Sequence, residues 1–228
     1  MMMMMSKILF LFVCSILRSS AKKLHYYCDV VKDFGAMGNN ISDDTKAIQD
    51  AIDECSKVIV SSGKTFRVTK SLALTSNLTI VIEENASIFS DQSICDPHVN
   101  DSCVQNQRCP TLYWSTGPTA ILCGTNLTNI AIIGQDVRTS IIDGGGWKWY
   151  VVCSKTPRTN GITRTPTTHR YEAGVRNTSM WGMGPRTFEL TWSENITIRN
   201  VTFRNSPSWT IHPTFSRTIL AENIRIEN

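Results

Sequence analysis

The sequence predicts a right-handed parallel β-helix with a short N-terminal capping helix, incomplete at its C-terminal end. Three observations carry that expectation. Short β-branched runs follow one another from residue 57 onward, an Asn-(Leu/Ile)-(Thr/Asn/Arg)-Ile unit recurs among them, and one amphipathic helical segment precedes them. Hydrophobic residues make up 41% and charged residues 18% of the 228, a balance that excludes a disordered chain and allows one sizeable core.

The first 21 residues, MMMMMSKILFLFVCSILRSSA, form a separate piece. Lys7 precedes an apolar run from Ile8 to Leu17, and Ser19-Ser20-Ala21 offers small side chains for cleavage. The run is too short to span a bilayer, so residues 1–21 are expected to be a secretory signal peptide and 22–228 an incomplete β-helix domain. Removing 1–21 takes away Lys7 and Arg18 and lowers the formal charge from +4 to +2. So weak a balance does not support a nucleic-acid partner, and with the leader removed no membrane segment is expected.

DVVKDFGAMG, residues 29–38, reads as a strand and a Gly-punctuated turn. SDDTKAIQDAIDEC then reads as a helix over 45–55, with Ser42 to Asp44 as capping side chains and Ala47, Ile48, Ala51, Ile52 and Cys55 at helical spacing. A solenoid end exposes unpaired strand edges, and a helix placed before the first coil can cover them. The β runs KVIVSSG, TFRVTK, NLTIVIEENASIF, TAILCGTNLTNIAIIG, SIIDGGG, RTFELTWS, NITIRNVTFRNS and RTILAENIRIEN follow. The recurring unit starts at Asn77, Asn126, Asn195 and Asn223, with Asn129 in place of the final Ile in the second copy and a partial copy at Asn200. Its spacings suit multiples of a coil of roughly 22–28 residues. An antiparallel sandwich would need Asn-Gly hairpins, which are scarce.

Two long segments interrupt the pattern: a Cys-rich one from about Asp91 to Gly117, and residues 154–186, with six basic residues and one acid, Glu172. Such loops either line a binding face or are simply solvated. Eight Cys fall to seven with the leader removed. Cys95, Cys103, Cys109 and Cys123 lie close together without zinc-ligand spacing, so disulfides are favoured over a metal, and no cofactor is expected. Eight Asn-x-Ser/Thr sequons occur, at Asn40, Asn77, Asn85, Asn100, Asn126, Asn177, Asn195 and Asn200, of which a minority is expected to carry glycan.

DFGAMGNNISDDTKAIQDAIDEC resembles the N-terminal motif of the pectin-lyase-like β-helix superfamily. IIDGGGWKWY resembles the Asp-Gly-x-Gly-x-x-Trp-Trp element of family 28 glycoside hydrolases, the polygalacturonases, and RTFELTWSENITIRNVTFRNSPSWTIHP is similar to a segment of the same family. The resemblance implies a secreted, monomeric, pectin-directed enzyme that hydrolyses α-1,4-galacturonosyl links by an inverting mechanism, with one carboxylic acid on the leaving oxygen and one carboxylate activating water. It also implies that NSPSWTIHP, Asn205–Pro213, is a corner between coils. There Pro207 and Pro213 would fix the bend, Trp209 would fill the interior and His212 would be a hydrogen-bonded structural group.

The family's Asn-Thr-Asp, Gly-Asp-Asp, Gly-His-Gly and Arg-Ile-Lys elements all follow that corner, and none occurs here; the expectation is a chain that stops before its catalytic aspartates. Asp43 and Asp44 read as helix caps, Asp143 as an Asx-type turn residue, and RIE at 225–227 as a strand lacking the family's Lys. No catalytic residue is therefore assigned. The alternative is a secreted, non-catalytic β-helix that binds pectin or a partner surface.

Overall fold

The computed structural model describes residues 25–91, 120–146 and 185–228. The leader at 1–21, Cys95, Cys103, Cys109, Asn100, Asn177 and Glu172 lie outside them. Numbered along the chain, sixteen described strands lie in three sheets whose pairings are all parallel. The first sheet holds β1 (His25–Asp29), β3 (Cys55–Val60), β6 (Leu78–Ile82), β9 (Thr128–Gly134), β12 (Glu194–Arg199) and β15 (Arg217–Glu222). The second holds β2 (Asn39–Asp43), β4 (Thr65–Val68), β7 (Ser87–Ser90), β10 (Ile141–Asp143), β13 (Thr202–Arg204) and β16 (Arg225–Glu227). The third holds β5 (Leu72–Ala73), β8 (Leu122–Thr125), β11 (Phe188–Thr191) and β14 (Ile211–Thr214). This is the expected parallel β-helix. Uninterrupted coils repeat every 22 or 23 residues, as the Ser87–Thr65 and Asn223–Asn200 hydrogen bonds between neighbouring coils record.

Alternation within each strand builds the core. Val58, Ile80, Ile132 and Ile198 stack coil on coil in the first sheet, Phe66, Ile88, Ile142 and Phe203 in the second, and Leu72, Leu122 and Phe188 in the third. All are buried. β-branched and aromatic side chains suit this pleated, one-face-buried environment. Between sheets the chain turns through left-handed backbone. Among the described residues, nine of the twelve non-glycine residues with positive φ are Asn, the residue besides Gly that tolerates this region best.

The helix α1 (Thr45–Glu54) buries Ile48, Ala51 and Ile52 and packs on β3, β5 and β1. Three expectations about it are corrected. It does not precede the first coil: β1 and β2 come before it, and it takes the third-sheet position of that first turn. There Gln49 imitates a strand, donating from Nε2 to the Ala73 carbonyl (3.0 Å) and accepting the Ala73 N–H at Oε1 (2.8 Å). Nor does Asp44 cap the helix with its side chain. Its carboxylate accepts the N–H groups of Met37 (2.7 Å) and Gly38 (3.1 Å), while Asp43 accepts that of Thr45 (3.0 Å) and Ser42 accepts from Asn39 Nδ2 (3.2 Å). The Gly38 turn lies against the helix start, so its buried donors outcompete the helix's own. Cys55 is not helical; it opens β3 and is disulfide-bonded to Cys28 across 27 residues. Cys123 is also disulfide-bonded.

Candidate functional site

The longest stretches of chain between described strands fall at one kind of connection. Residues 92–119 and 147–184 both lie between a second-sheet strand and a third-sheet strand, β7 to β8 and β10 to β11. The short link from β13 to β14 turns the same corner, and it contains Asn205 to Thr210. The expectation that this stretch is a corner therefore holds. Pro207 packs here so closely that a Cβ on Gly144 would lie 2.8 Å from its Cδ. Asp143 accepts the Gly145 N–H (2.9 Å), the expected Asx turn, and also pairs with Arg204 Nε (2.7 Å). Gly145 has φ +62 and a Cβ there would meet the Ser90 carbonyl at 2.1 Å, so only glycine fits.

Beside this corner, the outer face of the third sheet carries a charged cluster. In β11, Phe188 and Leu190 point inward, which turns Glu189 and Thr191 outward. β14 pairs with it in register, so His212 stacks on Glu189 and Thr214 on Thr191. Glu189 is buried all the same. Its Oε2 lies 3.0 Å from Arg186 Nη1 and its Oε1 3.2 Å from His212 Nδ1, which in turn lies 3.2 Å from the Thr214 hydroxyl. A carboxylate out of water needs such partners, because alone it would cost several kcal/mol. The Trp209 ring lies 4.2 Å from the His212 ring and 5.3 Å from the Arg186 guanidinium, and it is 50% exposed. An indole face beside a guanidinium can stack on a sugar ring and attract a carboxylate on it.

His212 thus has the hydrogen bonds expected of a structural group. Trp209 and Pro213 differ from expectation. Phe188, Leu190 and Phe203 fill the interior at this level, and Trp209 lies outside it. Pro213 does not bend the chain; it lies inside β14, paired with Leu190. The Phe188 and Trp192 N–H groups donate to the carbonyls of Thr210 and Thr214, so even-numbered residues face β11 and the ring nitrogen of Pro213 faces the open edge, where no donor is needed.

The other acids have structural partners. Asp43 takes hydrogen bonds from the Thr45 and Thr69 hydroxyls. In RIE, Arg225 Nε lies 2.6 Å from Glu227 Oε1 on an exposed strand. Each buried carboxylate among the described residues, Asp29, Asp44, Asp91, Asp143 and Glu189, accepts a hydrogen bond or pairs with a cation. No group of three metal-ligating side chains occurs among the described residues. The sequence reading counted Arg186 only among the six basic residues of 154–186 and did not single out Glu189 within RTFELTWS. The signal was the separation of Glu189 from His212 by 23 residues, one coil, with both at outward positions.

Comparison with known proteins gives this arrangement a context. The chain is 31% identical over 201 residues to a probable polygalacturonase of Vitis vinifera. The chain is polygalacturonase-like. The match covers 85% of this polygalacturonase-like chain and 35% of the Vitis protein, so the chain spans about a third of the relative's length. No family model matches it. A family 28 exopolygalacturonase of Yersinia enterocolitica superposes with a TM-score of 0.60 at 20% identity, over 90% of this chain and 38% of that one. An inferred glycosyl hydrolase of Parabacteroides merdae superposes with a TM-score of 0.60 at 19% identity, over 88% and 74% respectively. At these identities the likeness to the two structures is one of fold.

Proposed function

We propose that this polygalacturonase-like chain is part of an extracellular, pectin-directed glycoside hydrolase, that it binds galacturonan through the Arg186–Trp209–His212 face, and that these 228 residues alone do not cleave it. The observation that carries the reading is the 31% identity to the Vitis protein across 85% of the chain. The charged aromatic cluster supports an anionic sugar polymer as the partner. The Cys28–Cys55 disulfide supports an oxidising compartment, and no helix among the described residues is long and apolar enough to cross a membrane.

Inverting hydrolysis of an α-1,4-galacturonosyl link needs a carboxylic acid that can give its proton to the leaving oxygen and a carboxylate that can take one from water. The buried carboxylates described here are already engaged, so this part of the molecule contributes binding. Affinity electrophoresis in gels containing polygalacturonate should retard the protein, and a neutral galactan should not. Trp209→Ala should weaken retention about tenfold, the loss of one stacking contact worth ~1.4 kcal/mol. Equal retention by both polymers, or by both proteins, would overturn the binding reading. No reducing ends should appear. Their release well above a blank would overturn the division between binding and chemistry. Binding by the 228-residue product, with no longer product from the same locus, would favour a non-catalytic pectin-binding β-helix.

A further inference from the structure

Six of the eight sequons lie among the described residues, and all six asparagines have positive φ: Asn40, Asn77, Asn85, Asn126, Asn195 and Asn200. At four of the six, the solenoid explains the motif without any sugar. At a sheet-to-sheet turn, an Asn in left-handed backbone is followed by an inward apolar residue (Leu78, Ala86, Ile196 or Val201, all buried) and then by an outward hydroxyl. Asn-x-Ser/Thr is a by-product of that turn. A sequon therefore says nothing here about modification until the amide nitrogen is located.

The nitrogens divide into two sets. Asn195 Nδ2 donates to Asn129 Oδ1 (2.7 Å), Asn129 Nδ2 donates to Asn77 Oδ1 (2.8 Å), and Asn223 Nδ2 donates to Asn200 Oδ1 (2.9 Å). These amides stack along the solenoid axis. Asn195 aims its nitrogen at the preceding coil. Asn77 and Asn200 direct their oxygens at the following coil, so their planar amides turn the nitrogens towards the preceding one, at the levels of Cys55 and Gly134. Coils are about 4.8 Å apart, too close for a sugar ring to enter between them. Exposure does not separate the sets, since Asn77 and Asn195 are exposed as well; Asn40, Asn85 and Asn126 differ in belonging to neither ladder.

We propose that Asn40, Asn85 and Asn126 are N-glycosylation sites, and that Asn77, Asn195 and Asn200 carry no glycan in the folded protein. The proposal rests on the extracellular reading above. In the transfer, Nδ2 bonds to the anomeric carbon of an oligosaccharide carried on a lipid pyrophosphate. That carbon's bond to the pyrophosphate oxygen breaks, the oxygen keeps the electron pair, and the amide loses one proton. A chain modified at Asn195 would have to open its ladder to fold, so it should be depleted from the secreted monomer.

The test is secretion of the full chain from a eukaryotic host, once with its own first 21 residues and once with an established secretory leader in their place. The folded monomer is deglycosylated enzymatically in ¹⁸O-water and peptide-mapped, which marks each formerly occupied Asn. With the established leader, the label is expected at Asn40, Asn85 and Asn126 and only in traces at the other three. Asn85→Gln should remove one step of gel mobility. Asn195→Gln should remove none and lower Tm through the lost ladder bond. Labelling of Asn195 comparable to Asn85 in the monomer, or no label at any one of Asn40, Asn85 and Asn126, overturns the proposal. Absence of all glycan with the native leader alone counts against the extracellular reading and leaves the division of sites to the other arm.

Discussion

At the scale of single residues, the left-handed turns set the terms. Trp192, Phe215 and Thr218 are the described exceptions to Asn at positive φ, with φ of 48, 52 and 56. Trp192 and Phe215 compensate by stacking, their ring centroids 5.3 Å apart. Thr218 has no such contact. It follows Asn195 in the column Asn77, Asn129, Asn195, because Ile219 pairs with Ile196. Thr218→Asn should relieve β-branched strain and add one ladder bond, raising unfolding stability by about 1–2 kcal/mol in urea titration. An unchanged or lower midpoint would sink that account. Acid sensitivity also belongs to single residues. Burial raises the Asp29 carboxyl, but the Ser61 hydroxyl, the Lys32 and Val31 N–H groups and the Lys32 charge outweigh it and hold the group below its usual range. Burial likewise raises Asp43, and the Thr45 and Thr69 hydroxyls, the Thr45 N–H and the Arg67 charge more than offset it. A carboxyl lowered by folding adds stability in full above its unfolded value, about 3.9, and loses it as pH falls through the lower folded value. Stability should therefore drop below about pH 4. The double variant Asp29→Asn, Asp43→Asn should show a shallower drop in Tm over that window, and a parallel curve would count against it.

At the scale of elements, α1 does its work through one polar side chain as well as its apolar stripe. β5 has only two residues, and its outer edge would leave the Ala73 N–H and carbonyl unpaired without Gln49. Gln49→Leu keeps the helix propensity and removes both bonds. It should cost about 1–3 kcal/mol, the penalty for stranding buried backbone groups, and hydrogen exchange at Ala73 should rise first. A loss of stability without faster exchange at Ala73 would point to repacking of the helix instead. The disulfide between Cys28 and Cys55 joins β1 to β3, so the first turn of the solenoid is held both by α1 and by a covalent tie.

At the scale of the molecule, a solenoid's stability is close to a sum of coil terms and neighbour interfaces. The inward column of the first sheet runs from Leu78 through Ile130 and Ile196, each 1% exposed, to Ile219 at 42%. β15 and β16 are exposed along their length, whereas β6 is covered on both sides. In a protein of these 228 residues, amides at 217–222 should exchange far faster than those at 78–82. Equal protection in a monomer would contradict the picture.

The sequence by itself determined the coil. Strand alternation, the Asn turns and the amphipathic helix are local patterns, so a parallel solenoid with coils of roughly 22–28 residues was legible without coordinates, and the structure narrowed the uninterrupted coil to 22 or 23. The corner was legible too, from two strand runs flanking Asn205–Pro213, but its extent was not: it ends at Thr210, and Ile211 to Pro213 already belong to β14. Tertiary structure decided everything that depends on which residue lies one coil away. It paired Glu189 with His212 and Arg186, set Cys28 against Cys55, gave Asp44 to the Gly38 turn, and excluded Trp209 from an interior already filled by Phe188 and Phe203. It also separated asparagines with the same Asn-x-Ser/Thr motif into those within a ladder and those outside it. The reason is geometric: residues 22 or 23 apart meet across one coil, but two long segments between the second and third sheets shift that spacing, and only the register of the sheets restores it.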